Sequence, residues 1–448
     1  MGARNSAVTP PPPITGGLAA RDVAASALFT VFVEKRNFDE AFARAAENRH
    51  LEPRDRAFAR LVAVTVLRHR GALRAAVSRF LQKPLPENQG RLEPILLSAA
   101  AQLLFLDTPP HAAISLAVDQ CRVDRAARRF DKLANAVLRR VSEGGRAQLD
   151  ALDSVSLNIP AWLFARWQST YGEDGARRIG AAALLEAPLD LSVRSDPAAW
   201  AEKLGGLLLP TGTVRLAHAG RVEELAGYHD GAWWVQDAAA ALPAQLFGDV
   251  RGLDVADLCA APGGKTAQLA NGGARVLAID KSPGRLNRLK ENLARLGLSA
   301  ETAVADAVSY DPGRTFDAVL VDAPCTATGT IRRHPDILHL KRAEDVVSLA
   351  AIQARVLERA AHLVKPGGTL VYCTCSLEPE EGVHQIERFL VANKAFERRP
   401  VDAAEIRADP QWVTAAGDLQ TLPSGYAELP AGFTGMDGFF AARLRRTA

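Results

Sequence analysis

The stretch DLCAAPGGKTAQLA (257–270) reads as the turn between a β-strand and a helix, and what that turn holds decides the fold. Its Gly264-Lys265-Thr266 ending suggests a phosphate loop, whose pattern is G-x-x-x-x-G-K-[ST]. That pattern puts its first glycine at position 259, which is Cys259 here. The dinucleotide fingerprint G-x-G-x-x-G fails as well, because only Gly263 and Gly264 are present. What survives is a strand, a Gly-Gly turn and a helix N-terminus. Such a turn lets a ligand approach the backbone closely, and the helix end attracts an anion. A carboxylate meets that requirement as well as a phosphate does.

From Trp233 onward strands and helices alternate. LDVADLCA (253–260), ARVLAID (274–280), ETAVADA (301–307), FDAVLVDAP (316–324) and GTLVYCTC (368–375) are predicted strands, with AFERRPV and GFFAARL as two more at the end. Leu286, Leu289, Leu293 and Leu296 mark one intervening helix. Val346, Leu349, Ile352, Val356 and Leu363 mark another. This alternation predicts an α/β Rossmann-like, doubly wound sheet with its ligand beyond the carboxyl ends of the strands. Asp280 ends the second strand, where an acid binds the two hydroxyls of a ribose. Asp306 ends the third and suits an exocyclic amine. Each acid taken singly also reads as a helix N-cap. Together, sites for a carboxylate, a ribose and an adenine describe S-adenosylmethionine.

Two further strand ends carry thiols. The fourth delivers Asp322, Pro324 and Cys325 to the ligand edge, and the fifth delivers Cys375. Cys373 lies two residues inside its strand and reads as a packed core thiol. Nothing completes a four-ligand set, so no metal is expected. A methyl donor beside thiols has a specific use, because C5 of cytosine is a poor nucleophile. A thiolate adding to C6 makes C5 enamine-like, and a base later removes the C5 proton so that the thiol can leave. Asp322 suits N3 and the exocyclic amine of such a base. Methylation at nitrogen or oxygen needs no adduct, so paired cysteines point to carbon. Arg332, Arg333 and His334 follow directly and are candidates for RNA phosphates near the target base; the alternative is a solvated loop.

The rest of the 448 residues is organised around this region. Residues 1–17, with TPPPP, read as a disordered tail. MGARNS fits a myristoylation consensus, but no polybasic patch or second acylation site accompanies it. Residues 18–146 read as an all-helical domain, with Gly71 interrupting one helix and SEGGRAQLD (142–150) as a linker. Residues 147–232 read as linker and a small α+β module, and 233–448 as the Rossmann-like domain. Residues 1–150 carry 23 Lys and Arg against 15 Asp and Glu, leaving 31 against 36 in the remainder. The basic excess in the first third favours a polyanion there. No apolar run is long enough for a bilayer, and five cysteines without a secretory pattern point to reduced thiols in the cytoplasm. A monomer with no membrane contact is expected.

Three segments carry a resemblance. CAAPGGKT (259–266), DAPCTATGTIRRHPD (322–336) and YCTCSLEPEEG (372–382) resemble motifs I, IV and VI of the RNA (cytosine-5)-methyltransferases. LSAAAQLLFLDTPPHAAISLAV (97–118) and KLANAVLRRV (132–141) resemble the NusB-like RNA-binding domain. The combination resembles the RsmB/Sun branch. It implies a final antiparallel strand, a small RNA-recognition-like module and C5 methylation of a 16S rRNA cytosine, cytosine 967 in the usual numbering. It implies Cys375 as nucleophile and Cys325 for product release. Donor binding falls to Cys259, Ala260, Ala261, Pro262, Gly263, Gly264, Lys265, Asp280, Asp306 and Asp322, so Asp322 is claimed by both donor and base. Thr326 departs from the more usual serine, and APLDLSVRS (187–195) lacks the Arg and Asn of the related PPL-x-LRVN pattern. Two other readings stay open: a tRNA cytosine-5 methyltransferase, and an RNA-binding transcription factor whose methyltransferase domain is inert.

Overall fold

Seven helices precede Ala161 in the computed structural model, which describes residues 14–217 and 220–447. They are α1 (Gly16–Phe32), α2 (Phe38–Arg49), α3 (Pro53–Ser78), α4 (Leu92–Leu104), α5 (Pro110–Val123), α6 (Asp131–Asp150) and α7 (Ser154–Asn158). Most of the expected tail, and the MGARNS motif, lie outside the described residues, whereas Gly16 and Gly17 already belong to α1. Apolar faces of α1, α3, α4 and α6 meet in one core that contains Leu28, Val31, Val66, Leu73, Ile95, Leu96 and Leu138.

Two expectations about glycine are corrected here. The interruption expected at Gly71 falls two residues earlier, where α3 bends at His69 (φ −116°, ψ 24°), and the helix runs on through Gly71. A Cβ at Gly71 would sit 1.7 Å from the Leu157 carbonyl oxygen, and the next amide, Ala72, donates to Asn158 Oδ1 at 3.0 Å. The glycine is there so that α7 can lie against α3. Likewise SEGGRAQLD is no linker but the last turns of α6. Gly145 is buried with Leu104 where its side chain would be, and the apolar stripe through Val137 and Val141 carries the helix past both glycines.

Helix α8 (Ala161–Ala183) is followed by a small antiparallel sheet of β1 (Leu189–Val193), β2 (Leu207–Leu208), β3 (Val214–Leu216) and β4 (Trp233–Val235), in the order β2-β3-β1-β4. Helix α9 (Pro197–Leu204) lies between β1 and β2. β4 was expected in the Rossmann-like domain. It pairs instead with β1, Trp233 opposite Val193, and completes the small sheet with a fully buried indole.

Helix α10 (Ala238–Gln245) leads into the main sheet: β5 (Asp254–Leu258), β6 (Arg275–Asp280), β7 (Glu301–Val304), β8 (Phe316–Asp322), β9 (Val364–Thr374), β10 (Phe396–Arg398), β11 (Leu419–Thr421) and β12 (Phe439–Arg446). The order is β10-β12-β9-β8-β5-β6-β7, with β11 also on β12. β5 to β9 are parallel, and β12 runs antiparallel beside β9. The order reverses at β5, which has β6 on one side and β8 on the other, so the ligand edge has its crevice there. Helices α11 (Gly264–Asn271), α12 (Pro283–Leu296), α13 (Ile337–Leu340), α14 (Ala343–Leu363) and α15 (Val383–Ala392) complete the chain. The four leucines of α12 are buried as their spacing predicts. On α14 the buried stripe passes through Val346, Ala350, Gln353 and Leu357, while Ile352 is exposed.

Packing divides the chain into two units. One combines the residues up to Ala161 with His334–Lys341; the other holds 162–333 and 342–448. The eight-residue segment 334–341 therefore belongs with the helical unit. There Asp336 Oδ2 accepts from the Phe38 amide at the start of α2 at 3.1 Å. His339 meets Phe32 edge-on and bonds the Leu67 carbonyl at 2.7 Å through Nε2.

Candidate active site

The turn 259–263 departs from β5 at its carboxyl end. Cys259 takes a left-handed conformation (φ 63°), and Ala260 N–H donates to the Ile279 carbonyl of β6 at 2.9 Å. Gly263 is also left-handed (φ 102°), and a Cβ there would strike Leu289 at 2.7 Å, so glycine is required. A Cβ on Gly264 would face the Gln236 amide at 3.4 Å. The turn thus presents bare backbone at the head of α11, with the segment after β4 behind it. Asp280, at the end of β6, is buried; it accepts from Ala261 N–H at 3.2 Å and Ser282 N–H at 2.9 Å. Asp306 lies just beyond β7, exposed, with one oxygen taken by the Val308 amide at 2.9 Å. Both acids stand at the edge where the sequence placed them. Each also accepts from local backbone, but neither caps a helix: Ser282 is the N-cap of α12, and a turn follows Asp306.

Across β5, the ends of β8 and β9 bring Asp322, Cys325 and Cys375 to the same edge. The two sulfurs are 3.4 Å apart, hydrogen-bonded and not joined by a disulfide. Gly329 N–H donates to the Cys375 carbonyl at 3.0 Å, which ties one cysteine loop to the other. The Cys325 thiol is held well above its ordinary pKa, first by its hydrogen bond to Cys375, then by burial and the charges of Cys375 and Glu381. Lys265, the first side chain of α11 after the glycine pair, reaches across to Asp322 Oδ2 at 2.8 Å. Its ammonium also lies 4.7 Å from the centre of the Phe439 ring. Burial works against the Lys265 charge, but Asp322 and the neighbouring thiols outweigh it and hold its pKa up. Cys373 is fully buried with its pKa pushed well up by burial, consistent with a packed thiol, and its Sγ lies 3.6 Å from Asp322 Oδ1.

Comparison with known proteins decides what this constellation belongs to. Residues 249–445 match the family model for 16S rRNA methyltransferase RsmB/F, and residues 18–143 match the NusB family. Ribosomal RNA small subunit methyltransferase B of Xylella fastidiosa is 38% identical and covers 96% of this chain and 99% of its own length. The protein of that name from Vibrio cholerae is 36% identical over 95% of this chain and 97% of its own. The chain belongs to the RsmB/F family of 16S rRNA methyltransferases. The crystal structure of PH0851 shares its fold over 96% of this chain and 99% of that one, with a TM-score of 0.75 at 23% identity. The Rossmann-like sheet with an antiparallel last strand, the helical NusB domain and the small α+β module between them are therefore those of an RsmB/F chain.

Arg332 and Arg333 do not stand where a phosphate contact would need them. Arg332 is 1% exposed and donates to the Thr434 carbonyl at 2.9 Å. Arg333 bonds Asp237 Oδ2 at 2.6 Å and lies 3.3 Å from Asp437 Oδ2. Beside them Arg215 and Asp190, both fully buried, form a two-bonded pair at 2.7 Å. These charges face inward because their partners come from 190, 237 and 437, segments far apart in the sequence. The cluster joins the small sheet, the start of α10, the loop after Cys325 and the approach to β12. His334 is exposed, with Nδ1 4.0 Å from Asp39 in the helical unit.

Sequence reasoning missed five residues in this RsmB/F site: Glu378, Glu380 and Glu381, and Arg166 and Tyr171 of α8. Glu381, in the turn before α15, is fully buried directly behind both cysteine loops. Glu378 is buried and bonded to Arg166 of α8, whose other nitrogen reaches Glu380 at 2.6 Å, and Tyr171 O–H donates to the Leu377 carbonyl at 2.7 Å. Helix α8 thereby pins the loop that follows Cys375. The acidic run EPEEG carried a signal for these contacts, since three acids flanking a thiol strand require nearby donors.

Proposed function

We propose that this chain methylates C5 of a cytosine in 16S rRNA from S-adenosylmethionine, through a covalent bond between Cys375 and C6 of the base. The observation that carries the reading is the pair of sulfurs 3.4 Å apart beside the Asp322–Lys265 pair. The donor edge fits an amino-acid-bearing nucleoside. Bare backbone at Gly263–Gly264 and the head of α11 suit its carboxylate, and Asp280 and Asp306 its ribose and base. Cys259, Ala260, Ala261, Pro262, Gly263, Gly264, Lys265, Asp280, Asp306 and Asp322 would hold it. When bound, it supplies an electrophilic methyl group on a sulfonium sulfur.

The chain's own residues do the rest. Cys375, as thiolate, adds to C6, and electron density moves onto C5. Asp322 faces N3 and the exocyclic amine and keeps a proton at N3, which favours addition. Lys265 holds that carboxylate through its Oδ2. Once C5 carries the methyl group, Cys325, having given its own thiol proton to solvent, takes the C5 proton as thiolate. The double bond re-forms, the C6–sulfur bond breaks and Cys375 leaves.

The helical unit, with 23 basic against 15 acidic residues in the first 150, would orient the RNA. The target base must leave its stack to reach a thiol, so naked or partly assembled rRNA is the fitting substrate. Cytosine 967 is the target this reading names. Bisulfite sequencing of rRNA and tRNA from cells with and without the gene tests it. Loss of one protected cytosine in 16S rRNA is expected; loss in a tRNA, or no change, would contradict it.

A further inference from the structure

Something must hold two thiols within 3.4 Å on loops fifty residues apart. The residue after Cys325 is Thr326, and the residue after Cys375 is Ser376; both point at one carboxylate. Thr326 donates its amide to Glu381 Oε1 at 2.9 Å and Oε2 at 3.2 Å, and its hydroxyl to Oε2. Ser376 donates its hydroxyl to the same Oε2 at 2.5 Å. Gln353 of α14 donates its amide to Oε1 at 3.0 Å and to the Pro324 carbonyl at 2.9 Å. Gln385 donates to the Gln353 carbonyl at 3.2 Å, which fixes the orientation of that amide. The neighbours that face Glu381 are thus donors, the surroundings of an ionised carboxylate rather than an acid. Burial pushes its pKa up, and these hydrogen bonds oppose the shift.

We infer that Glu381 is a positioning residue of the reaction: it clamps the residue after each cysteine to one buried point, so that both sulfurs serve the same base. This rests on the covalent reading above. Charge-assisted bonds are the strong ones, and four donors of three residues, from two loops and a helix, on one carboxylate define a position more narrowly than packing does. A shift of about 1 Å in reacting groups costs on the order of 100-fold in rate. Glu381 also contributes electrostatically, since its charge helps raise the Cys325 thiol.

The test uses the full chain with Glu381→Gln, which keeps the volume but turns an amide N–H₂ toward the donors, and with Glu381→Asp. Phenylarsine oxide exchanges its oxygen for two neighbouring sulfurs and releases water, so its affinity reports the thiol pair without turnover. Wild type should bind it, Cys325→Ala and Cys375→Ala should not, and Glu381→Gln should weaken binding about tenfold or more, with Glu381→Asp recovering part. In parallel, Cys325→Ala and Cys325→Ala/Glu381→Gln are incubated with rRNA and donor. Adduct formation should slow on the order of 100-fold in the double variant. The pH at which turnover rises should move down in Glu381→Gln, because a negative charge beside Cys325 is gone. If Cys325→Ala itself gives no adduct, the covalent reading fails. If it does, and Glu381→Gln changes neither arsenical affinity nor adduct rate, this inference fails. Should Glu381→Gln not fold, Ser376→Ala and Thr326→Val each remove one arm; unchanged arsenical affinity in both would overturn the clamp.

Discussion

Replacing Asp257 with asparagine should remove a pH dependence of stability that the wild-type chain carries. Asp257 lies in β5 with no exposed surface. Its Oδ2 accepts from the Thr266 hydroxyl at 2.6 Å, and its Oδ1 has no hydrogen-bond partner among the described residues. Burial pushes its pKa from 3.8 up to about 7; Asp322 and Asp280 add to the shift, and Thr266 and Lys265 oppose it. The folded chain therefore holds this proton more tightly than the unfolded chain. Its contribution is fully present below about pH 4 and is lost as pH rises through about 7. A shift of that size corresponds to about 4 kcal/mol across the whole window, and to about 2 to 3 kcal/mol between pH 5 and pH 8. Asparagine has no charge to bury and can still accept from Thr266. Urea unfolding at pH 5, 6, 7 and 8, followed by tryptophan fluorescence, should show the variant gaining that amount on wild type from pH 5 to pH 8. In thermal melts this is a relative shift on the order of 5 °C. A difference that stays constant with pH would refute the reasoning, because Asp257 would then be ionised throughout.

Other substitutions probe other parts of the chain. Gly71→Ala drives a methyl into the Leu157 carbonyl and should destabilise the helical unit by about 2 kcal/mol or more, read as a lowered urea midpoint. His69 and His339 are pushed down to about 4, chiefly by burial, so both must stay neutral. As pH falls from about 6.5 through 4, each should cost the helical unit about 3 kcal/mol. His69→Phe, which keeps the stack on Phe105, should flatten part of that loss in urea melts at pH 7, 5 and 4. Arg333→Gln leaves Asp237 and Asp437 facing each other in the interior, with Asp437 already pushed up to about 7 by burial. It should lower stability by about 3 to 5 kcal/mol at pH 8 and less at pH 5, where Asp437 is protonated.

Much of the site was legible because its chemistry sits at strand ends. Asp280, Asp322, Cys325 and Cys375 terminate apolar runs, and a parallel sheet places such termini on one edge whatever its side-chain packing. The turn at Gly263 was legible for a local reason, since only glycine fits its conformation beside Leu289. Residues that act through distant partners were not. Arg332 and Arg333 read as candidates for RNA phosphates, because the acids that take Arg333 inward lie far away in sequence, at 237 and 437. Glu381 was not singled out at all, because its donors come from 326, 353 and 376. Gly71 read as an interruption and Gly145 as part of a linker, yet α3 and α6 pass through them where neighbouring elements approach closely. The α14 stripe was misplaced at Ile352 because Gln353 is buried to hold Pro324 and Glu381. In each case a tertiary contact overrode a local rule.

The central claim is that Cys375 becomes bonded to the base and Cys325 frees it. Full-length Cys325→Ala and Cys375→Ala are each incubated with target rRNA and S-adenosylmethionine, then run on a denaturing gel. Cys325→Ala is predicted to give a slow-migrating protein–RNA adduct that survives denaturant, and Cys375→Ala to give none. An adduct from Cys375→Ala, or full methylation of the cytosine by it, would contradict the account.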